Sequence, residues 1–395
     1  MSRNIAVLLV VSLFFGLAFG VYEIVLPLYL RDRQHSYWVI ALIFAAAEIA
    51  VFFLRVYVGR LSDMLGRKIF YSLSLVLCAI ANGLVPLSSA ALFQLPLKAL
   101  RESTVFVRNT MHSLLIYDQA RDRFMELLGK TRGGEFVFQG LGAFAVIFLM
   151  SSERDVNYVP PFLFTAVLLG AGWVFFSVAY KERTWKAPAS APAGSVFSLH
   201  MPRGLALLTL YGFIFEMAIT LSHSFAIPIF FRDKFSASWT QIGVINAVHR
   251  LTMGIPLLII GPLLRRRLKM LFIVFVIVEG VLLAVSALIP NFTAATCVWL
   301  LHDLVGAGVW FPIYGQFVQQ YSRPECRGED VAKAGSLSQL GRIFGPLLCG
   351  AVMGLFSSPG LKVSSAFVAS GLLLIIAPLP LIWLREHKSG TPQAS

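Results

Sequence analysis

Long apolar runs separated by short polar segments make up most of this chain. A helix needs about 20 apolar residues to cross the hydrocarbon core of a membrane, and twelve runs are candidates. They cover residues 5–30, 36–58, 69–89, 91–116, 134–151, 159–180, 204–231, 237–261, 269–290, 292–320, 332–357 and 362–384. The runs are too long and too uniformly apolar for the alternating strands of a membrane β-barrel. The pattern therefore predicts an all-α membrane protein with 12 transmembrane helices.

One polar segment is much longer than the others. Residues 181–203 read "KERTWKAPASAPAGSVFSLHMPR", a basic stretch rich in Ala, Pro and Ser. This composition is typical of a flexible linker. The linker separates six predicted helices from six others. We therefore expect an N-terminal half at residues 1–180 and a C-terminal half at residues 204–395.

The two halves are related by an internal repeat with a constant offset of 201 residues. The stretch "LPLYLRDRQHSYW" at 26–38 aligns with "IPIFFRDKFSASW" at 227–239. The same offset places Glu102 on Asp303. Many secondary transporters consist of two related halves that hold the substrate between them near mid-membrane. The repeat predicts two pseudo-symmetric six-helix halves of this kind.

Composition and charge support a membrane location. Hydrophobic residues make up 57% of the chain and charged residues only 13%, against about 25% charged in soluble domains. The net charge is +13, but with the N-terminus inside, 21 Lys and Arg fall in inner segments, 6 in outer segments and 6 within predicted helices. This bias follows the positive-inside rule. It predicts a cytoplasmic (inner) membrane protein with both termini in the cytoplasm, and it explains the positive charge without nucleic-acid binding.

The segment between the second and third runs is compact and charged. It reads "GRLSDMLGRK" at residues 59–68. The stretch resembles the loop 2–3 motif of the major facilitator superfamily, G-x-L-[AS]-D-x-x-G-R-[KR], at every fixed position. This resemblance implies the fold of that family: twelve helices, two six-helix halves and cytoplasmic termini.

The resemblance also implies a gate on the cytoplasmic side. Asp63 is expected to lie against the start of the eleventh helix near Lys333–Gly335, because helix N-termini favour negative charge. Arg67 is expected to pair with Asp118 at the end of the fourth helix. The predicted gate residues are Gly59, Asp63, Gly66, Arg67, Lys68 and Asp118. The equivalent second-half stretch, "GPLLRRRLKM" at 261–270, has no acid.

Ionisable residues within the predicted helices are the other functional candidates, because each costs a few kcal/mol to insert. The candidates for coupling or for lining a substrate cavity are Glu23, Glu48, Arg101, Glu102, Arg108, Glu216, His223, His249, Arg250, His302 and Asp303. Members of the family often couple transport to protons through an arginine of the fourth helix, and Arg101 or Arg108 could match it. Internal ion pairs that only offset their own burial are the alternative. Glu279, on a helix that is peripheral in the family, has no assigned role.

These observations predict a secondary active transporter that works by alternating access. We expect proton-coupled export of a small organic or amphipathic compound, with Glu23 and a helix-4 arginine central to coupling. Uptake of a metabolite or organic anion, or movement of a lipid-like substrate, is an alternative; a non-transporting sensor or channel-like protein is an alternative of another class. We expect no enzymatic activity, no metal site and no cofactor beyond a proton gradient. The partners are a small-molecule substrate and the lipid bilayer, and the protein is expected to be a monomer.

Overall fold

A computed structural model describes residues 3–120, 123–150, 156–181, 201–259, 268–323 and 327–384. All regular structure in these ranges is helical. The helices are α1 (Arg3–Asp32), α2 (Tyr37–Leu65), α3 (Arg67–Leu84), α4 (Ala91–Gln119), α5 (Phe124–Leu149), α6 (Val159–Ala179), α7 (Arg203–His223), α8 (Ala226–Phe235), α9 (Trp239–Ile259), α10 (Leu268–Leu288), α11 (Phe292–Val305), α12 (Ala307–Tyr321), α13 (Arg327–Gly354) and α14 (Pro359–Ile376). Short 3-10 helices follow α3 and α14.

Each predicted apolar run coincides with one helix or with two consecutive helices. The run 204–231 is divided into α7 and α8, and the run 292–320 into α11 and α12, with Gly306 at the second break. Each break is only one or two residues long inside a mainly apolar run, so the hydrophobic pattern predicted one helix in each place.

Eight helical segments among the described residues are long and apolar enough to span a membrane, judged by length and composition alone. The runs outside this group are those of α4, α9, α11–α12 and α13. Three of these four runs carry seven of the eleven intramembrane candidates named above: Arg101, Glu102, Arg108, His249, Arg250, His302 and Asp303. These charged side chains lower the mean hydropathy of their segments. The number of twelve membrane crossings therefore stays a prediction.

Several helices extend beyond their predicted ends, α2 and α5 the furthest. α2 continues to Leu65, so most of the charged 59–68 stretch is helical rather than a loop. α5 begins at Phe124 instead of residue 134. On its first turns Glu126 forms ion pairs with Arg123 and Lys130. The expectation that the fifth helix opens near Glu135 is therefore wrong. The prediction ended each helix where its apolar residues ended. A helix can continue into a polar segment because ion pairs between residues three or four positions apart stabilise the additional turns.

Glycines bring several helix backbones into direct contact. A Cβ atom added to Gly20 of α1 would lie 2.0 Å from the carbonyl oxygen of Gln139 in α5. A Cβ atom on Gly345 of α13 would lie 2.0 Å from Oγ1 of Thr220 in α7. Small residues permit such close approach between membrane helices. The α1–α5 and α7–α13 contacts correspond under the 201-residue offset.

The helices before and after the linker each pack among themselves and meet along one seam. α1 packs on α5 and α6, and α3 packs on α4 and α6; likewise α7 packs on α13 and α14, and α10 packs on α11 and α14. Contacts of α5 with α9 and of α2 with α13 form the seam. Most of the predicted linker lies outside the described residues, so the domain limits stay a prediction.

In the part of the chain that the structure describes, apolar packing closes the seam at one end. Both described chain ends, Arg3 and Leu384, lie at what we call the terminal end of the helices, and the α1–α2 and α8–α9 turns lie at the far end. The largest buried apolar cluster crosses the seam, with Phe44 packed on Phe225 at a ring-centroid distance of 5.4 Å. Two smaller clusters contain residues from one side of the linker only.

Candidate functional site: a cavity between the two sets of helices

A cavity of about 660 Å³ lies in the seam. Helices α2, α4 and α5 line one wall, and α7, α12 and α13 line the other. The lining extends to Ser113 and Arg132, near the terminal-end limits of α4 and α5. The cavity is therefore on the terminal-end side of the closed apolar packing.

The cavity walls are polar and balanced in charge. Three acids and three bases line the cavity: Glu48, Glu102, Glu216, Arg55, Arg132 and Arg342. Hydroxyl and amide side chains add further hydrogen-bonding groups, among them Tyr211, Tyr314, Asn109, Ser338 and Gln339. Such walls can satisfy donors and acceptors on a polar solute without imposing a net charge on it.

Arg342 joins the two walls. Its guanidinium lies 2.9 Å from Oε1 of Glu48 on α2 and 3.5 Å from Oε2 of Glu216 on α7. The Arg342 side chain is 40% exposed, so the pairs are accessible from the cavity. Gln339, one helical turn earlier on α13, also donates to Glu48 at 3.4 Å. A solute or a conformational change that separates α2 from α13 must break the contacts of Arg342 and Gln339 with Glu48.

The far end of the seam is closed by a polar contact between repeated Arg-Asp pairs. Nε of Arg31 lies 3.0 Å from Oδ2 of Asp233, and the Tyr37 hydroxyl donates to the same carboxylate. The equivalent acid of the first half, Asp32, instead accepts from the Tyr158 hydroxyl at 2.5 Å without crossing the seam. The repeat motif therefore meets its own copy here.

The first-half charges near mid-membrane form a compact ion-pair network. Arg101 donates to Oε1 of Glu23 at 2.7 Å and also pairs with Glu102. Lys98 donates to Glu102 at 2.7 Å. The Arg101 guanidinium lies over the Tyr22 ring, 4.1 Å from its centroid. Two bases and two acids thus balance each other, and Glu23 is the acid that belongs to another helix.

Arg108 belongs to a separate and deeper pair. It donates to Glu135 of α5 at 2.6 Å and to the Ser12 hydroxyl of α1 at 2.7 Å. The side chains of Arg108 and Glu135 are 1% and 5% exposed. Arg132 reaches the same carboxylate at 3.3 Å. The two arginines of α4 therefore have different partners, and both are almost fully buried.

The second half contains a histidine cluster, defined here as His223, His249, His302 and Asp303. Nε2 of His223 lies 3.1 Å from Nε2 of His302. Asp303 lies 2.5 Å from Nδ1 of His249 and 3.4 Å from Nε2 of His302. In the part of the chain that the structure describes, no group of three or more His, Cys, Asp or Glu residues is arranged to hold a metal ion. Arg250 follows on α9, with its guanidinium 5.8 Å from the Phe19 ring centroid.

The structure brings together part of the predicted cytoplasmic gate. Arg67 pairs with Asp118 and donates to the Leu114 carbonyl at 3.4 Å. Gly66 ends α2 with φ of 92°, a conformation that favours glycine. Lys68 is half-buried in the first turn of α3.

The other half of the predicted gate is not described. Gly59 lies within α2, and the Asp63 side chain lies outside the described residues. α13 begins at Arg327, so Lys333–Gly335 lies about two turns inside the helix rather than at its start. The predicted contact of Asp63 with residues 333–335 therefore stays a prediction, although these residues do not begin the helix.

Sequence reasoning missed Arg342 and Glu135 as partners. Both lie inside predicted helices or at their limits, and an inventory of every intramembrane charge would have included them. Which charges meet could not be read from the chain, because Glu48 and Arg342 are 294 positions apart. The histidine spacing likewise gave no sign that three rings converge.

A helical membrane protein with a polar cavity between two related sets of helices is the architecture of a carrier. The family model described as Major Facilitator Superfamily matches residues 8–346, and the chain belongs to this family. It is a multi-pass membrane protein and a transporter rather than an enzyme. Among curated protein sequences, none gives a significant match.

Several solved transporters share the fold. A crystal structure of a point mutant of the nucleoside transporter NupG has a TM-score of 0.80 at 14% identity, covering 97% of this chain and 100% of that chain. A bacterial homolog of the human lysosomal transporter Spinster, in an inward-facing and occupied conformation, has a TM-score of 0.71 at 15% identity, covering 97% of each chain. The human organic anion transporter MFSD10 (TETRAN) has a TM-score of 0.65 at 18% identity, covering 96% of this chain and 99% of that chain.

Proposed function

We propose that this protein is a secondary transporter that moves a small polar organic solute by alternating access, driven by a proton gradient. The observation that carries the proposal is the seam: a polar cavity lies toward the terminal end, and the Arg31–Asp233 contact with its apolar packing closes the far end. Rocking of the two halves about this seam would open the far end and close the other. A ligand shifts such an equilibrium only by its differential affinity for the two states.

The charge bias along the sequence assigns the terminal end to the cytoplasm of a bacterial-type inner membrane. In that orientation the described state faces inward. The Arg67–Asp118 pair then lies on the cytoplasmic side, where the predicted gate belongs.

The cavity favours a neutral or zwitterionic solute with several hydrogen-bonding groups. Its lining acids and bases balance, so neither a cation nor an anion is favoured by the walls as a whole. Its volume is within the range of about 300–1,000 Å³ found for small-molecule sites. The similarity to a nucleoside transporter agrees with this class, whereas a lipophilic cation or a lipid tail would leave these polar walls unsatisfied.

For coupling, Glu23 and Arg101 support the proposal better than Arg108. The Glu23 side chain is 21% exposed and Arg101 holds it from another helix, so protonation of Glu23 would release that contact. Arg108 is buried against Glu135 and Ser12, where access to water is poor.

The test is solute flux in proteoliposomes with a panel of nucleosides, amino acids, sugars, organic anions, lipophilic cations and lipids. We expect saturable uptake of a neutral or zwitterionic solute that responds to an imposed pH gradient and is lost in Glu23→Gln. Glu126→Gln, at an exposed site on α5, is the matched control and should behave as wild type.

Counterflow separates the alternatives. Exchange of labelled for unlabelled solute without a gradient identifies a carrier, whereas flux that never saturates indicates a channel and no flux indicates a sensor. Running the pH gradient in both directions decides between export and uptake. Flux that ignores the gradient and Glu23 would refute proton coupling and leave a facilitator.

A further inference from the structure

Both helix breaks of the second half lie beside the histidine cluster. α7 ends at His223 and α8 begins at Ala226, while Gly306 separates α11 from α12 three residues after Asp303. Their counterparts under the 201-residue offset, α1 and α4, are continuous. Discontinuous helices near mid-membrane commonly mark ligand or ion sites in transporters, because their ends present free backbone groups and dipoles. The first half has no equivalent of this arrangement in its described residues.

The repeat relates the histidine cluster to the first-half ion pairs. Under the offset, Tyr22, Arg101 and Glu102 correspond to His223, His302 and Asp303. A guanidinium is charged at every physiological pH, whereas an imidazole changes charge between about pH 5 and 8. The second half therefore has a titratable base at the position where the first half has a permanent cation, next to an acid in both cases.

The hydrogen bonds limit where the protons lie in the neutral cluster. Nδ1 of His302 contacts the carbonyl oxygen of Trp299, which only accepts, so Nδ1 carries the proton. The Ser370 hydroxyl donates to the Ala218 carbonyl, so the Ser222 hydroxyl can donate to Ser370 and accept from Nδ1–H of His223 at 2.7 Å. The Nε2 lone pairs of His223 and His302 then face each other across 3.1 Å, and Oδ1 of Asp303 lies 3.4 Å from Nε2 of His302. In this arrangement no proton lies between the three atoms.

We propose that His223, His302 and Asp303 form a site that binds one proton from water, and that this proton drives transport. The incoming proton adds to Nε2 of His302, between Nε2 of His223 and Oδ1 of Asp303. His302 becomes an imidazolium that donates to these two acceptors. His223 stays neutral, with its Nδ1–H donating to the Ser222 hydroxyl. The site gains one proton and one positive charge.

Charged groups surround the histidine cluster. Oδ2 of Asp303 already accepts from His249. Arg250 is within electrostatic reach of Asp303 and of Glu23, which is itself paired in the first-half network. Glu279 of α10 is 3% exposed and packs against Gly306, three residues after Asp303. The carboxylate of Asp303 is thus the acid in direct reach of His302, and it attracts a positive charge on that ring.

Glu279 also connects the site to a helix break. A Cβ atom on Gly306 would lie 2.5 Å from Cδ of Glu279, so this carboxylate packs directly on the α11–α12 junction. At the other break, the His223–His302 contact ties the end of α7 to α11. Protonation supplies the donor for that contact and strengthens the contact to Asp303. Binding of the proton would therefore change the contact between α7 and α11 next to both helix breaks.

Proton binding can be measured without a transport substrate. Trp299 is buried, with ring centroids 4.7 Å from His249 and 5.2 Å from His302, and a protonated imidazole quenches a neighbouring indole. The fluorescence of the purified full-length protein would be titrated from pH 4.5 to 9, with Trp299→Phe subtracted. We expect one quenching transition, with proton uptake of one equivalent in unbuffered solution.

Variants assign the transition. It should disappear in His302→Gln and in Asp303→Asn, and persist in His112→Gln, which removes another buried histidine beside Tyr71 in the first half. Gel filtration and circular dichroism establish that each variant is folded. Absence of the transition in the wild type, or its persistence in both site variants, overturns the proton site.

The coupling step rests on the proposed function, whereas proton binding does not. In proteoliposomes we expect counterflow to survive in His302→Gln while gradient-driven accumulation falls at least tenfold. Gradient-driven transport that is intact in His302→Gln overturns coupling through this site even if the fluorescence transition is present. If the wild type moves no solute from the panel, the proposed function fails and coupling fails with it, while the titration still decides proton binding.

Discussion

Arg31 and Asp233 stand 202 positions apart in the chain and meet at 3.0 Å across the seam. Each belongs to one copy of the repeated Arg-Asp pair, so a duplicated motif closes the far end of the protein by contacting itself. The Arg31 side chain is 28% exposed and the Asp233 side chain 11%, so the contact is near the surface but partly protected from water.

Removal of this contact should open the far end. In Asp233→Asn the charge attraction to Arg31 is lost, and we expect the equilibrium to move toward a state open at the far end. Spin labels at residues 33 and 240, both exposed on opposite sides of the seam, would report a longer mean distance in the variant. Asp32→Asn is the matched control, because Asp32 contacts Tyr158 on its own side. Equal distances in Asp233→Asn and wild type would show that apolar packing alone closes this end.

Removing the charge of Arg342 alone should reduce stability more than removing the charges of Arg342 and Glu48 together. Arg342→Gln removes the cation that lies between Glu48 and Glu216, whereas Glu48→Gln with Arg342→Gln removes both members of the closer pair. With Glu48→Gln as the other single variant, we expect a coupling free energy of about 1–2 kcal/mol in a double-mutant cycle of thermal unfolding. Solute flux should fall in both single variants and in the double variant because the pair lines the cavity. Additive effects on stability would mean that the contact contributes little.

The hydrophobic pattern was sufficient to place the helices but not their interruptions. The break at Ser224–Phe225 follows the polar Ser222 and His223, and the other is at Gly306, but both lie within runs long and apolar enough to be predicted as one helix. The far ends of helices were also better predicted than the terminal ends. At the terminal end, α2 and α5 continue as polar helices, and only the structure shows where they stop.

The candidate site was predictable as a set of residues and not as a set of contacts. Membrane insertion cost singles out Glu23, Arg101 and His302 wherever they stand. Arg101 and Arg108 lie on one face of α4, and the acid that each one meets depends on how α4 packs against α1 and α5. The convergence of three histidines depends on α7, α9 and α11 meeting, which is a tertiary property.

Arg108 should be required for stability more than for coupling. Arg108→Gln leaves Glu135 buried with only the more distant Arg132 as a cation, and uncompensated buried charges cost about 3–5 kcal/mol. We expect strongly reduced thermal stability and low yield of folded protein. Arg132→Gln, at a side chain that is 31% exposed, should cost about 1 kcal/mol or less. A folded, stable Arg108→Gln protein that transports without a proton requirement would instead assign coupling to Arg108.

Gly20 and Gly170 offer a paired test of helix packing. A Cβ atom on Gly20 would lie 2.0 Å from the Gln139 carbonyl oxygen, and backbone atoms there can move only if α1 separates from α5. Overpacking of this kind typically costs about 1–3 kcal/mol, so Gly20→Ala should lower the unfolding temperature. A Cβ atom on Gly170 of α6 would have nothing within 4 Å of it, and alanine there should be neutral or stabilising because alanine favours helix.

The two glycine variants also separate packing from motion. If α1 and α5 move as one body during transport, Gly20→Ala should reduce stability while the residual folded protein keeps its dependence on the proton gradient. Thermal unfolding and flux on the same preparations measure both quantities. Loss of gradient dependence with unchanged stability would place the α1–α5 contact among the parts that move. A stable, fully active Gly20→Ala protein would contradict the packing of α1 on α5, in which a Cβ atom at this position lies 2.0 Å from the Gln139 carbonyl oxygen.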